Sequence, residues 1–416
     1  MVYYGAQRLR CDTSIEPTSS IASLGTPTLS GPKIPPELFH PIVSFITSRP
    51  TLLTLCITSQ TLRHYAERCL YTSISGPDAS NAPLHIGFLR TITQTPRLAR
   101  YVKEYYSLSI VVYQENPLWD LTKQAFKCMI NLKTLVFRGF GGHPCGELLD
   151  MDPSSPSSPS LTPTLQLEKL MWGNHSDERS ISKILIQQSP SLRELSFGCR
   201  PRAAPFSPHA CPKLDALWGN RAAIEALLPG RHITRLSWVP ELDDSNTDPI
   251  LGLDEELGAL RTLSFGGYFS RPHLELIVGF LSGLEVLEMV GLFPGVRTPL
   301  LHHPHLPILS LLFSNSHSPS SPPPHPEQEL PLLKSLPSLR ELVFSLRWGV
   351  AQFPIPLKGR KQEMNRLFAE CSMLACVDIV HEWVQVDLDT ILYQRWEREG
   401  GEPRLVTRGE VRKGRF

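Results

Sequence analysis

The chain has 416 residues, room for about two or three domains or one long repeat array, and only 19% of them are charged. Pro is frequent at 39, while 41 Lys and Arg nearly cancel 40 Asp and Glu. So neutral a chain lacks the broad basic field of nucleic-acid and anionic-membrane binders, so neither partner is expected.

Residues 1–32 are rich in Ser, Thr, Pro and Gly and read as a disordered leader, with too little apolar area to order itself. From 33 to 75 the pattern sharpens into three short helices. Pro35 and Pro36 suit a first helical turn, and Glu37 sets a carboxylate at the positive end of its dipole. Leu38, Ile42, Phe45 and Ile46 follow at helical spacing. After Arg49-Pro50, the run Leu52, Leu53, Leu55, Cys56, Ile57 predicts a helix that is apolar almost all round. Thr61 is the expected cap of a third helix, where Leu62, Tyr65, Ala66, Cys69 and Leu70 recur along one stripe. A unit of roughly 40 residues seldom stands alone, so its apolar faces need a partner.

Ile34-Pro35-Pro36-Glu37-Leu38, the run around Leu52 to Ile57, and Leu62-Arg63 with Ala66, Leu70-Tyr71 and Ile74 together resemble an F-box. The likeness is to the form frequent in fungal F-box proteins, with Ile34 where Leu is commoner and Leu62 where Phe or Trp is common. It implies binding of a Skp-type adaptor, and through it a cullin, by Pro35, Leu38, Ile42, Leu53, Leu55 and Leu62.

Residues 76–126 read as a linker helix, carrying Leu84, Ile86, Phe88, Leu89 and Ile92, and a first repeat. From 127 to 381 a Leu-x-x-Leu-x-apolar motif recurs, starting at Leu132, Leu167, Leu192, Leu214, Ile233, Leu260, Leu284, Leu306, Leu339 and Leu374. Most intervals fall in or near the period of about 20 to 29 residues of leucine-rich repeats. Helix-like stretches lie between, at Ile181 to Gln188, Ala222 to Leu228, His273 to Leu281 and Gln362 to Cys371. The pattern resembles irregular leucine-rich repeats, implying an α/β solenoid of one strand plus one helix per repeat. Aligning Trp172-Gly173-Asn174 with Trp218-Gly219-Asn220 would shift Leu217 by one position, so the strand of the fourth repeat has two candidate registers.

Two insertions of low complexity, 141–163 and 315–328, carry Ser-Pro runs and read as disordered surface loops. The end of the chain, 382–416, with Arg404, Arg408, Arg412, Lys413 and Arg415, reads as a solvated tail. The nine Cys form neither a CxxC pair nor an even pattern, so free thiols are expected. The first thirty residues lack a signal-peptide core, and the longest apolar stretch, Leu274 to Val296, holds Glu275, Glu285, Glu288 and Pro294. A cytoplasmic or nuclear protein is expected.

No phosphate loop, GxSxG elbow or HExxH helix occurs. His302, His303 and His305 are split by Pro304 and read as surface histidines, while Asp243-Asp244 and Asp254-Glu255-Glu256 read as solvated turns or helix starts. No catalytic residue, metal or cofactor is expected. The residues flanking the second Leu of each motif project onto the open face of the sheet. Lys169, Met171, Trp218, Arg235 and Glu288 are the candidate contacts for a protein substrate, with Trp and Arg the types favoured at interface hot spots. The two resemblances together imply a substrate receptor of a Skp/cullin/F-box ubiquitin ligase. The alternative is a repeat scaffold whose first helices only cap the array.

Overall fold

The computed structural model describes residues 34–74, 82–108, 116–137, 165–173, 178–187, 190–198, 206–207, 210–238, 252–266, 271–290, 326–345, 360–382 and 391–413. The leader 1–32, the insertion 141–163, the Leu306 motif, the His302 to His305 cluster and Asp243-Asp244 lie outside them. The chain divides into two compact units between Ala66 and Glu67.

In the first unit a 3-10 turn, Pro36–Leu38, leads into helix Phe39–Ser44, followed by helix Arg49–Thr58 and the start of helix Gln60–Thr72. Ser48 caps the second helix, its Oγ accepting from the Thr51 amide at 3.4 Å, with Pro50 in the first turn where its missing donor costs nothing. The third helix begins before the expected cap Thr61. Ser59 takes that role instead, its Oγ accepting from the Leu62 amide at 3.2 Å. Val43, Leu52 and Ala66 are buried.

The second unit is mixed α/β. Its sheet contains β1 (Ser73–Ile74), β2 (Glu104–Tyr106), β3 (Thr134–Phe137), β4 (Lys169–Trp172), β5 (Glu194–Phe197), β6 (Ala216–Gly219), β7 (Arg235–Trp238), β8 (Thr262–Gly266), β9 (Val286–Val290), β10 (Glu341–Ser345) and β11 (Cys376–Glu382), side by side in chain order and parallel. Two further strands, β12 (Leu392–Glu397) and β13 (Arg404–Thr407), continue the order antiparallel. Helices in the connections include Ala82–Gln94, Asn116–Cys128, Glu178–Gln187, Arg221–Leu227, Arg271–Ile277 and Arg360–Glu370.

Among the described residues, the second apolar position of the motifs forms one cross-strand row. Leu135, Leu170, Leu195, Leu217, Leu236, Leu263 and Leu287 are mutual register partners, and all are buried. Each such side chain contributes about 1.5 to 3 kcal/mol through burial. Aromatic rings fill the third position in several strands: Phe137 stacks on Trp172 at 4.9 Å, and Trp238 meets Phe265 edge-on at 5.3 Å. At the strand starts one carbonyl serves two amides, as where Lys103 O accepts from Lys133 and Thr134. The same bond pair repeats at every step from Lys103 to Cys376, which holds the register in place.

Several expectations change here. In β6, the strand of the fourth repeat, Leu217 pairs with Leu195 and Leu236, so the motif register holds and the shift suggested by the Trp-Gly-Asn strings does not occur. Gly219 then stands where its neighbours carry rings, because helix Arg221–Leu227 starts at once. A Cβ on Gly219 would lie 2.6 Å from Phe197 O and 2.7 Å from Ala223 Cβ. β9 bonds directly to β10. Helix Pro326–Lys334 begins inside the proposed insertion 315–328. Residues 391–413 are no solvated tail: they supply β12, β13 and helix Arg408–Arg412. Thr407 and Glu410 form a capping box on that helix, and Val411 is buried.

Candidate functional site

Two sets of side chains were expected to carry function, one in each unit. In the first unit most of the apolar stripe points outward. Leu38, Ile42 and Leu53 are about half exposed, Pro35 is exposed, and Leu55 and Leu62 are partly buried. Ile34, Phe45 and Ile57 join them although the sequence reading left them out of the site; Phe45 and Ile57 are 84% and 85% exposed. Leu38, Ile42 and Phe45 recur at i, i+4, i+7, and Leu53 and Ile57 at i, i+4, so each set shares a helix face. The signal was in the periodicity. What periodicity could not tell was which face would be covered, since in helix Phe39–Ser44 Val43 is the buried residue. Soluble proteins seldom leave such a concentration of large apolar side chains in water without a partner to cover it.

In the second unit the outward face of the sheet carries Lys169, Met171, Trp218 and Arg235 in the expected orientation. Lys169 Nζ lies 2.8 Å from Glu194 Oε2 and sits over the Trp218 indole, 5.5 Å from its centroid. Arg235 bridges the same Glu194 to Asp215, 3.2 Å from Glu194 Oε1 and 3.0 Å from Asp215 Oδ2. Asp215, Arg235, Glu194, Lys169 and Trp218 are thus one chain of contacts across β4 to β7, with Met171 beside it on β4, half-buried. Burial alone would raise the Glu194 carboxyl, but the hydrogen bond and charge of Lys169, with Arg235, hold it below its usual range. The network is neutral as a whole and partly wet. It can offer a partner a fixed guanidinium, carboxylate oxygens and an indole face; Asp215 was missed, and Glu194, one of the flanking positions, was not chosen as a contact, because a Glu or Asp beside a strand Leu is ordinary in sequence.

Glu288 behaves differently from expectation. It stands in the same row as Ser264 and Trp218, yet it is fully buried and is not available to a substrate. Ser264 Oγ donates to it at 2.6 Å, Ser345 also donates, and Arg412 Nη2 approaches its two oxygens at 2.9 and 3.1 Å. Tyr393 OH is 3.1 Å from Ser345 Oγ, and burial pushes its phenol up, the Ser345 bond opposing and the Glu288 charge adding. The physical reason is distant in sequence: helix Arg408–Arg412 brings a guanidinium onto the face. A second buried pair lies beside it, where Asp378 of β11, fully buried, takes two bonds from its register partner Arg395 of β12 at 2.7 and 2.6 Å.

Asp254, Glu255 and Glu256 form the first turn of a short helix, as expected of a solvated helix start, and Glu256 accepts from the Gly230 amide at 2.8 Å. Among the described residues, Cys56, Cys69, Cys128, Cys211, Cys371 and Cys376 form no disulfide. Among the described residues no group of three or more His, Cys, Asp or Glu could hold a metal ion, and no helix is long and apolar enough to cross a membrane. Comparison with protein-family models and with the curated proteins gives no match.

Proposed function

We propose that this chain is a substrate receptor of a Skp/cullin/F-box type ubiquitin ligase. In this reading the first unit is an F-box that docks on a Skp-type adaptor, and the second is an irregular leucine-rich-repeat solenoid that holds a protein substrate. The observation that carries it is the outward apolar set Ile34, Leu38, Ile42, Phe45, Leu53 and Ile57, gathered on short helices and their ends. It includes Leu38, Ile42 and Leu53, which the F-box resemblance singles out for adaptor docking. The parallel strands in chain order, with their row of Leu partners, support the repeat half of the reading. Ubiquitin transfer would be catalysed by proximity, the chain contributing position rather than an acid, base or nucleophile.

The test is recovery of partners with the full chain. Wild-type protein should bring down a Skp-type adaptor together with a cullin, and the Leu38→Lys, Ile42→Lys double variant should bring down neither while its sheet stays folded. Recovery of substrate-like partners without adaptor or cullin would instead favour a scaffold whose first helices only cap the array.

A further inference from the structure

The strand-start edge of the second unit holds a cavity of about 770 Å³ at the beginnings of β2 to β5. Its wall carries four cations, Arg68, Arg100, Lys103 and Lys133, and a single carboxylate, Glu168. Lys133 Nζ pairs with Glu168 at 2.6 Å, which cancels one charge of each sign. Among the described residues no carboxylate lies within ion-pair distance of Arg68, Arg100 or Lys103, so three cations line one cavity without an internal counter-charge. Like charges focused in a cleft raise the local concentration of anions and repel one another until an anion arrives. Tyr101 and Asn131 add polar groups to the same wall.

The shape narrows the choice of anion. Adjacent strands lie about 4.8 Å apart, so a groove crossing β2 to β5 is roughly 14 Å long, the span of about four extended residues. A single phosphate would leave most of it empty. A nucleic acid strand would match the length, but the chain's net charge of +1 provides no wider field to hold a polyanion that continues past the groove. We infer that this edge binds a short acidic segment of a partner protein, its charge carried by carboxylates or phosphoserines. The surface is distinct from the outward sheet face and does not depend on adaptor docking.

Fluorescence anisotropy tests it with the full chain and three labelled peptides of equal length: Glu alternating with Ser, Glu alternating with phosphoserine, and Gln alternating with Ser. The account expects one or both acidic peptides to bind and the neutral peptide not to. Binding by the phosphoserine peptide alone would assign the charge to phosphate; equal binding would assign it to charge in general. Arg100→Glu with Lys103→Glu should weaken acidic binding at least about tenfold. Arg100→Gln with Lys103→Gln, which removes charge without reversing it, should weaken it in the same direction and guards against a folding defect. The Leu38→Lys, Ile42→Lys variant should bind the peptides as wild type does, whatever becomes of its adaptor. Failure of both acidic peptides to bind, unchanged affinity in the Gln pair, or equally tight binding of an oligothymidine of matched charge would each overturn the assignment.

Discussion

The two ends of the outward sheet face follow the same backbone register and meet opposite fates. From β4 to β7 the row Met171, Ser196, Trp218, Ser237 stays partly in water, and its charges pair loosely among Lys169, Glu194, Arg235 and Asp215. From β8 to β11 the continuation Ser264, Glu288, Val343, Asp378 is buried, and each carboxylate is matched to one Arg from the last strands and helix. A charge on a strand is therefore a contact surface or a structural tie according to what chain returns over it. Partly exposed pairs contribute about 1 kcal/mol or less, whereas a buried carboxylate stripped of its cation is strongly destabilising.

The largest test of that contrast is Arg412→Met. It leaves the buried Glu288 without its cation and should cost about 3 kcal/mol in urea unfolding, whereas a loss below about 1 kcal/mol would mean that water reaches Glu288. Next is Gly219→Ala. The added methyl meets backbone and helix, so overpacking should cost about 1 to 3 kcal/mol; an unchanged melting temperature would mean that β6 does not hold the register in which Trp218 faces outward. Trp218→Ala should then cost little stability, about 1 kcal/mol or less from the lost Lys169 contact. With Arg235→Ala it should abolish substrate capture in proximity labelling, and an unchanged set of neighbours would move recruitment off this face. The smallest effect is Glu194→Gln. Because the folded pKa of Glu194 lies below its unfolded value, its contribution is present above the unfolded value and is lost as pH falls through the folded one. Wild type and variant should thus differ in stability at neutral pH and converge in acid; a gap that widens on acidification would contradict the assigned pairing.

Much of the sheet was legible because the motif places Leu where the core needs it, and β3 to β11 follow from it. The first repeat read within 76–126 holds β2, but its strand was not placed because Tyr105 fills the Leu position, and β1 was missed because Ile74 lies in what reads as the end of the first helices. Tyr105 is accommodated there by His85, whose Nε2 lies 2.8 Å from its hydroxyl, a contact between residues twenty apart. The last strands were missed for a related reason. Arg395 and Arg412 look like a charged, solvated end until their partners Asp378 and Glu288 are known, and the second of those pairs spans 124 residues. The face that Lys169, Trp218 and Arg235 take was legible because alternation alone decides which face a strand residue takes. Glu288 shows the limit of that rule, since alternation gives the face and says nothing of what covers it. The first helices teach the same lesson in reverse, where a stripe expected to need cover stands largely open.

The central claim is that this open stripe is an adaptor-docking face. Isothermal titration of the purified full chain with a purified Skp-type adaptor tests it most directly, comparing wild type, Leu38→Lys with Ile42→Lys, and Trp218→Ala with Arg235→Ala. The account predicts a one-to-one complex for wild type and for the sheet-face variant, and a loss of at least about a hundredfold for the helix variant. Equal affinity in all three, or no binding by wild type, would contradict it.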